Sequence, residues 1–297
     1  MRTSYFVCNT SDFHLENSAK VALEFIYEFT LMEFPIDEFK FVGDRSIDPD
    51  FSETNGKNLL RNTKVEAKKQ GKDHIEAENK VWEGEHQNIL IKQWLGTLEP
   101  TQRMHELIEG YVRSAKIPQI LDLGGNDWDK EKRIVKAYEL SESKGKTLFD
   151  VLDSFAFRKL QGIEFKVIGE TLEVDIPYIE EKSDEELDNY RVKIENILER
   201  YGREVSQIVF RSHSNPDPSL REEKRNEWYK PIFDCAKKVN SRVLHIFGHC
   251  HKLPQPYEYY GVLLVPVGYG KKEALQRVFI QDYFDPRNDI IEDLKLK

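Results

Sequence analysis

Several short apolar runs in this sequence stop abruptly at residues that bind metals or make sharp turns, and that recurrent ending constrains the fold more than any other feature. Residues 5–8 lead into Asn9-Thr10-Ser11-Asp12-Phe13-His14, residues 39–42 into Gly43-Asp44, and residues 117–123 into Gly124-Gly125-Asn126-Asp127. Farther on, residues 207–210 precede Arg211-Ser212-His213, and residues 243–247 precede Gly248-His249-Cys250-His251. A last run over 261–270 reads as a strand followed by a turn. Short apolar runs bounded in this way are strands of a layered α/β protein. Sites in such proteins lie beyond the strand ends, where loops leaving neighbouring strands converge.

Helical patterns fill the intervals. Val21, Phe25 and Phe29 recur at helical spacing over residues 18–31, with Ser18 as the expected cap. A charged helix is expected over 183–201, where Ser183 and Glu186 form a capping-box pattern, and a further strand over 162–168. Two longer polar stretches, about 49–108 and 128–202, read as insertions on a single domain covering 1–297. The first carries Ile75, Trp82, Ile89 and Trp94 on a mostly charged background.

Charged residues make up 33% of the chain, above the typical share of about 25%, so a heavily charged surface is expected. No stretch approaches the roughly 18 consecutive apolar residues of a membrane span, and the opening residues read as a first strand rather than a signal peptide. The expected location is the cytoplasm, without a membrane partner. Cys8, Cys235 and Cys250 lack metal-type pairing and suit a reducing compartment, where their default role is packing. A formal net charge of -9 disfavours a surface built for duplex nucleic acid, which is held mainly by Lys and Arg. It leaves a small phosphorylated substrate open, because divalent cations at a carboxylate-rich site reverse the local sign.

The unit Asp12-Phe13-His14 offers a hard carboxylate and an imidazole from nearly one place, a common start to a mixed oxygen and nitrogen metal site. Taken alone it reads more readily as a helix cap and a surface histidine, and Gly43-Asp44 alone reads as a turn. Gly248-His249-Cys250-His251 says more, since two imidazoles in one strand-exit turn can reach adjacent metal positions. Of the eight histidines, His14, His213, His249 and His251 follow predicted strands, whereas His74, His86 and His105 fall in the first insertion. His245 lies within a strand and suits packing or an outer shell.

Taken in order, Asp12-x-His14, Gly43-Asp44, Gly125-Asn126, the strand-end His213 and Gly248-His249-x-His251 resemble the calcineurin-like metallophosphoesterase superfamily. The resemblance runs from about residue 5 to residue 270. It implies an α/β fold, a two-sheet αββα sandwich of the metallophosphoesterase type with helical insertions. It also implies that Asp12, His14 and His251 bind one divalent ion, that Asn126, His213 and His249 bind a second, and that Asp44 bridges them. Two positions depart from the pattern. The second acid, three residues after the Gly-Asp aspartate, falls on Ile47, with Asp48 one residue later. The histidine that commonly follows the motif asparagine and helps protonate the leaving group is replaced by Asp127.

The expected function is therefore hydrolysis of a phosphomonoester or phosphodiester by a dimetal-activated hydroxide, with Asn126, Asp127 and His213 as catalytic candidates. Manganese suits the mixed carboxylate, amide and imidazole set best, with iron, zinc, cobalt and nickel also compatible. A phosphorylated small molecule is the expected partner. The alternatives are a nuclease of the same superfamily, disfavoured by charge and by the lack of an obvious basic and aromatic strip, and a non-catalytic protein-binding scaffold on this fold.

Overall fold

A computed structural model describes residues 4–14, 16–31, 36–44, 56–115, 120–122, 126–141, 157–180, 182–221 and 225–296, with backbone alone at 16, 29–31, 56–57, 109–115, 120–122, 126–131 and 157–159. All the described strands belong to one compact unit, made of Met1–Arg45, Leu107–Asp127 and Ala156–Lys297. They form two sheets. The first has the order β11 (Gly268–Gly270), β12 (Leu275–Asp282), β1 (Phe6–Thr10), β2 (Ile36–Phe41), β3 (Ile120–Asp122), β4 (Phe157–Lys159), with β13 (Ile290–Lys295) also paired to β12. The second runs β5 (Glu164–Ile168), β6 (Thr171–Asp175), β7 (Gln207–Ser212), β8 (Val243–Phe247), β10 (Val262–Pro266), β9 (Tyr257–Tyr259).

The strands that matter for the site are parallel. β1 pairs in parallel with β2, β2 with β3, β6 with β7, and β7 with β8. Parallel neighbours place their C-terminal ends side by side, so the loops after β1, β2, β7 and β8 emerge at common edges.

Alternation along the strands assigns the layers. On β6 and β7, Leu172, Val174, Ile208 and Phe210 join an apolar cluster with Leu187, Ile194 and Leu198 of α7 (Asp184–Tyr201) and Ile232, Phe233 and Ala236 of α8 (Tyr229–Val239). Ser183 caps α7 through the expected capping box with Glu186. On the outer side of the first sheet, α1 (Glu16–Leu31) packs on β12. The result is the two-sheet αββα sandwich that the motif order implies.

The layer between the sheets is divided. Val42, Val209, Leu244, Ile246, Val265, Val267 and Phe279 fill one part with apolar side chains. The other part is charged: Lys40, Glu173, Asp175 and Arg211 are all buried and joined to one another.

Several sequence expectations shift. α1 begins at Glu16, so Ser18 lies inside the helix rather than capping it. Its fully buried stripe is Ala19, Ala22 and Ile26, with Val21 and Phe25 half-buried beside it; the Phe29 side chain is outside the described residues. The run 261–270 is two strands in different sheets, because the chain crosses between sheets at Val267, and Gly268, at a φ of 102°, makes that turn. Of the stretch 128–202, β4 to β6 and α7 are part of the sandwich rather than an insertion.

A second compact unit contains Ser46–Glu106 and Trp128–Phe155. Within it, α2 (Gly56–Lys69), α3 (His74–Glu83) and α4 (Gln87–Leu95) pack together. Trp82, Leu90 and Trp94 are buried there, whereas Ile75 and Ile89 are exposed at 61% and 42%. The helical register puts Leu90, not Ile89, on the inner face. α5 (Leu98–Ala115) and α6 (Asn126–Leu140) complete the described helices, and the unit boundaries fall within both. The three cysteines are free thiols, with Cys8 and Cys250 buried. Among the described residues, no helix is long and apolar enough to cross a membrane.

His245 sits on the helix-facing side of β8, ringed by Phe210, Tyr229, Phe233 and Phe247. The Ser212 hydroxyl donates to the Ser214 carbonyl, so it accepts from Tyr229 Oη at 2.9 Å and from His245 Nε2 at 2.8 Å. Burial depresses the His245 pKa to about 3. The unfolded chain, with a histidine pKa near ~6.5, binds a proton that the folded chain refuses between those limits. Stability therefore falls as pH drops below about 6.5, by up to roughly 1.4 kcal/mol per pH unit from this residue. His245→Gln should show a correspondingly shallower loss in urea unfolding between pH 7 and 4 under chelation; identical slopes would mean that the imidazole finds a proton partner in the fold.

Candidate metal centre

The hydrogen-bond pairing of β1 with β2 continues beyond their ends. Val42 N–H donates to Thr10 O at 2.7 Å, Asp12 N–H to Gly43 O at 3.0 Å, and Phe13 N–H to Asp44 O at 2.8 Å. The Asp12 and Asp44 loops are thereby zipped together. Ser11 Oγ reinforces this, lying 3.0 Å from the carbonyl oxygens of both Val42 and Gly43.

Sharp backbone turns then aim the side chains. Asp12, Asp44, His249 and His251 have φ values of 57°, 52°, 67° and 49°, in the left-handed region that side chains other than glycine seldom occupy. Such conformations cost on the order of 1–3 kcal/mol each and persist where surrounding contacts enforce them. Four strained residues on three loops converge here.

Two sets of candidate ligands result. Asp12, His14 and His251 place one donor atom each within 4.8 Å of one another, as do Asp44, His213 and His249. The His14 and His251 rings lie 4.4 Å apart by centroid, and those of His213 and His249 4.7 Å apart. Asp44 stands between the sets, its Oδ2 at 3.8 Å from His14 Nε2 and 3.6 Å from His213 Nε2.

The donor set fits divalent cations. His213 Nδ1 lies 2.6 Å from the Val42 carbonyl, which can only accept, so that nitrogen carries the proton and Nε2 faces Asp44. A backbone carbonyl that fixes the tautomer in this way is the usual support of a metal-binding histidine. At 3.3 Å from His14 Nε2, Asp12 Oδ1 makes a charge contact rather than a well-formed hydrogen bond. Both Asp12 Oδ1 and His213 Nε2 are buried without a hydrogen-bond partner. Asp12 Oδ2 is held separately, accepting from His249 N–H at 3.0 Å.

The electrostatics express the same crowding. Burial opposes the charge on Asp12, but His14, His251 and His213 outweigh it and lower its pKa to about 2. Burial likewise opposes a charged His213, yet Asp44 raises its pKa to about 9. His249 is pushed down by burial and by the neighbouring His213. Metal binding to such a set must displace protons.

Of the seven ligands implied by the motifs, six come together. Asn126 and Asp127 are the first two residues of α6; their side chains, together with Ile47 and Asp48, are outside the described residues. Sequence reasoning passed over Tyr178, whose ring lies 5.7 Å from His213 and 5.9 Å from His249, and Tyr269, 6.4 Å from His14 and 6.3 Å from His251. It also passed over Arg221, whose Nη1 donates to the His249 carbonyl at 3.0 Å. Only Tyr269, between two glycines in the last motif, stood in a segment already marked by the sequence.

No protein-family model matches the sequence, and none of the curated proteins matches it either. The structure is more informative. Over 100% of both chains it is similar to a dimetal phosphatase from Danio rerio, at a TM-score of 0.52 and 9% identity. The chain has the metallophosphoesterase fold. GAP50, the anchor in the inner membrane complex of Plasmodium, aligns over 100% of this chain and 90% of its own at a TM-score of 0.49 and 10% identity. A phosphoesterase from E. coli aligns over 98% of this chain and 100% of its own at 0.39 and 8%. The likeness to the dimetal phosphatase is one of fold.

In this metallophosphoesterase fold, Gly268 leaves room for the Asp12 carboxylate. A Cβ there would lie 2.7 Å from both Asp12 Oδ2 and the Ser11 carbonyl oxygen, at a φ that L side chains rarely adopt. Gly268→Ala should destabilise the protein by about 1–3 kcal/mol in urea unfolding. It should also weaken manganese binding in calorimetric titration. Wild-type behaviour in both measurements would show that Asp12 is not held as tightly as described.

Proposed function

We propose that the chain is a metal-dependent phosphoesterase that hydrolyses a phosphomonoester or phosphodiester at the two clusters. The observation that carries this reading is Asp44, placed between two three-residue donor sets inside the metallophosphoesterase fold. Asp12, His14 and His251 would hold one divalent ion and Asp44, His213 and His249 the other, with Asn126 as a further oxygen donor. Mixed carboxylate and imidazole donors favour manganese among the compatible metals. Two such ions, when bound, lower the pKa of water and offset charge on a phosphoryl group in transfer.

The chain's own residues divide the remaining work. Asp44 sets the separation of the two sets. His213, locked by Val42 in one tautomer, keeps Nε2 available as a donor. Asp127, at the position where the resembled family pattern commonly has histidine, is poorly suited to protonate a leaving group, because a free aspartate has a pKa near ~3.9. The net charge of -9 favours a small phosphorylated substrate over nucleic acid, and we place the reaction in the cytoplasm.

Elemental analysis of protein loaded with manganese should find about two ions per chain, and Asp44→Ala should lower occupancy at both positions. Protein that takes up no manganese would end the dimetal reading. His249→Ala and His251→Ala should each abolish most phosphodiester turnover; wild-type rates in both under limiting metal would reduce the last histidine motif to a turn. General acid help contributes on the order of 10²–10⁴-fold only where the leaving oxygen needs a proton. Asp127→His should therefore accelerate alkyl phosphoesters more than nitrophenyl esters. Equal effects at unchanged metal content would place position 127 away from the leaving group.

A further inference from the structure

The buried charges between the sheets call for an explanation that packing does not supply. Lys40 Nζ donates to Glu173 Oε1 at 2.9 Å and to Asp175 Oδ2 at 2.8 Å. Arg211 Nη1 meets Glu173 Oε2 at 2.9 Å, its Nε donates to Asn9 Oδ1 at 2.5 Å, and its Nη2 to Gln281 Oε1 at 2.9 Å. Arg211 is 0% exposed, Glu173 1%, Asp175 3% and Lys40 4%. Such a cluster rarely adds net stability over apolar residues of similar volume, since desolvation offsets the attraction. Where it is retained, its best-attested role is to fix one arrangement among alternatives.

Its position says which arrangement. Lys40 belongs to β2 and Asn9 to β1 in the first sheet, whereas Glu173, Asp175 and Arg211 belong to β6 and β7 in the second. The cluster therefore ties one sheet to the other. Arg211 lies two residues before His213, Asn9 three before Asp12, and Lys40 four before Asp44. Each tie is thus made within four residues of a candidate ligand. The donor sets need that tie, because Asp44 comes from the first sheet and His213 and His249 from the second, while Asp12 and His14 come from the first and His251 from the second.

We propose that Lys40, Glu173, Asp175 and Arg211 are positioning residues of the metal centre, fixing sheet separation and register so that ligands from both sheets meet. This rests on the reading of the two donor sets as metal sites. The apolar side chains beside the cluster make contacts without directional preference, whereas a guanidinium held by Asn9, Gln281 and Glu173 and an ammonium shared by Glu173 and Asp175 fix both distance and direction.

Manganese(II) titrated into metal-free full-length protein by calorimetry, alongside thermal unfolding without metal, tests the proposal. The pair Lys40→Met/Asp175→Leu keeps the net charge and leaves the Arg211–Glu173 contact in place. It should retain a cooperative transition near the wild-type temperature and bind manganese on the order of 10–100-fold more weakly, the size of effect known for groups supporting metal ligands. Arg211→Lys, which keeps the charge but loses the fork to Asn9 and Gln281, should weaken binding less and decides the matter should the pair fail to fold. Lys166→Met, which removes a half-buried lysine of β5 paired with Glu38, six residues before Asp44 and farther along β2 from it than Lys40, should bind as wild type. Wild-type manganese affinity in a folded pair variant, or in Arg211→Lys where the pair does not fold, overturns the proposal while leaving the metal sites standing. Wild-type protein that binds no manganese overturns both.

Discussion

Everything distinctive in this chain depends on two sheets meeting at a fixed separation. Each candidate donor set takes members from loops of both sheets, so neither set exists within a single sheet. Apolar packing of Val42, Val209, Leu244 and Val265 drives the sheets together but is non-directional. Direction comes from the buried ionic cluster and from the hydrogen bond of His213 to the Val42 carbonyl, which joins the residue after β7 to the residue after β2. Burial pushes against the charge of Lys40, yet Asp175 and Glu173 raise its pKa above the ordinary lysine value. The ammonium stays charged inside the sandwich.

Local strain is the second part of the design. Asp12, Asp44, His249 and His251 adopt left-handed backbone angles, and Asp44 and His249 each follow a glycine. A Cβ on Gly248 would meet Ser11 Oγ at 2.2 Å, and one on Gly268 would meet Asp12. The turns therefore place donor atoms by excluding alternatives, and the fold supplies the contacts that hold them.

Much of this was legible in the sequence, for a physical reason. A polar residue that must stand at a strand end interrupts an apolar run, so Asp12, Asp44, His213, His249 and His251 are visible as breaks in periodicity. β12 was not, because Gln276, Arg277 and Gln281 serve buried polar partners and blur the pattern of Leu275–Asp282. The strand β6 escaped for the same reason, with Glu173 and Asp175 facing the inter-sheet layer in place of apolar residues. It was absorbed into an expected insertion. Tyr178 carries no local signal at all, since its approach to His213 and His249 depends on the pairing of distant strands.

The central claim is that two cations sit where the two sheets meet. Anomalous scattering from crystals grown with manganese(II), recorded at the manganese edge, tests it directly. Two peaks are expected, one among Asp12, His14 and His251 and the other among Asp44, His213 and His249. Peaks confined to surface carboxylates, or none at either donor set, would contradict the account.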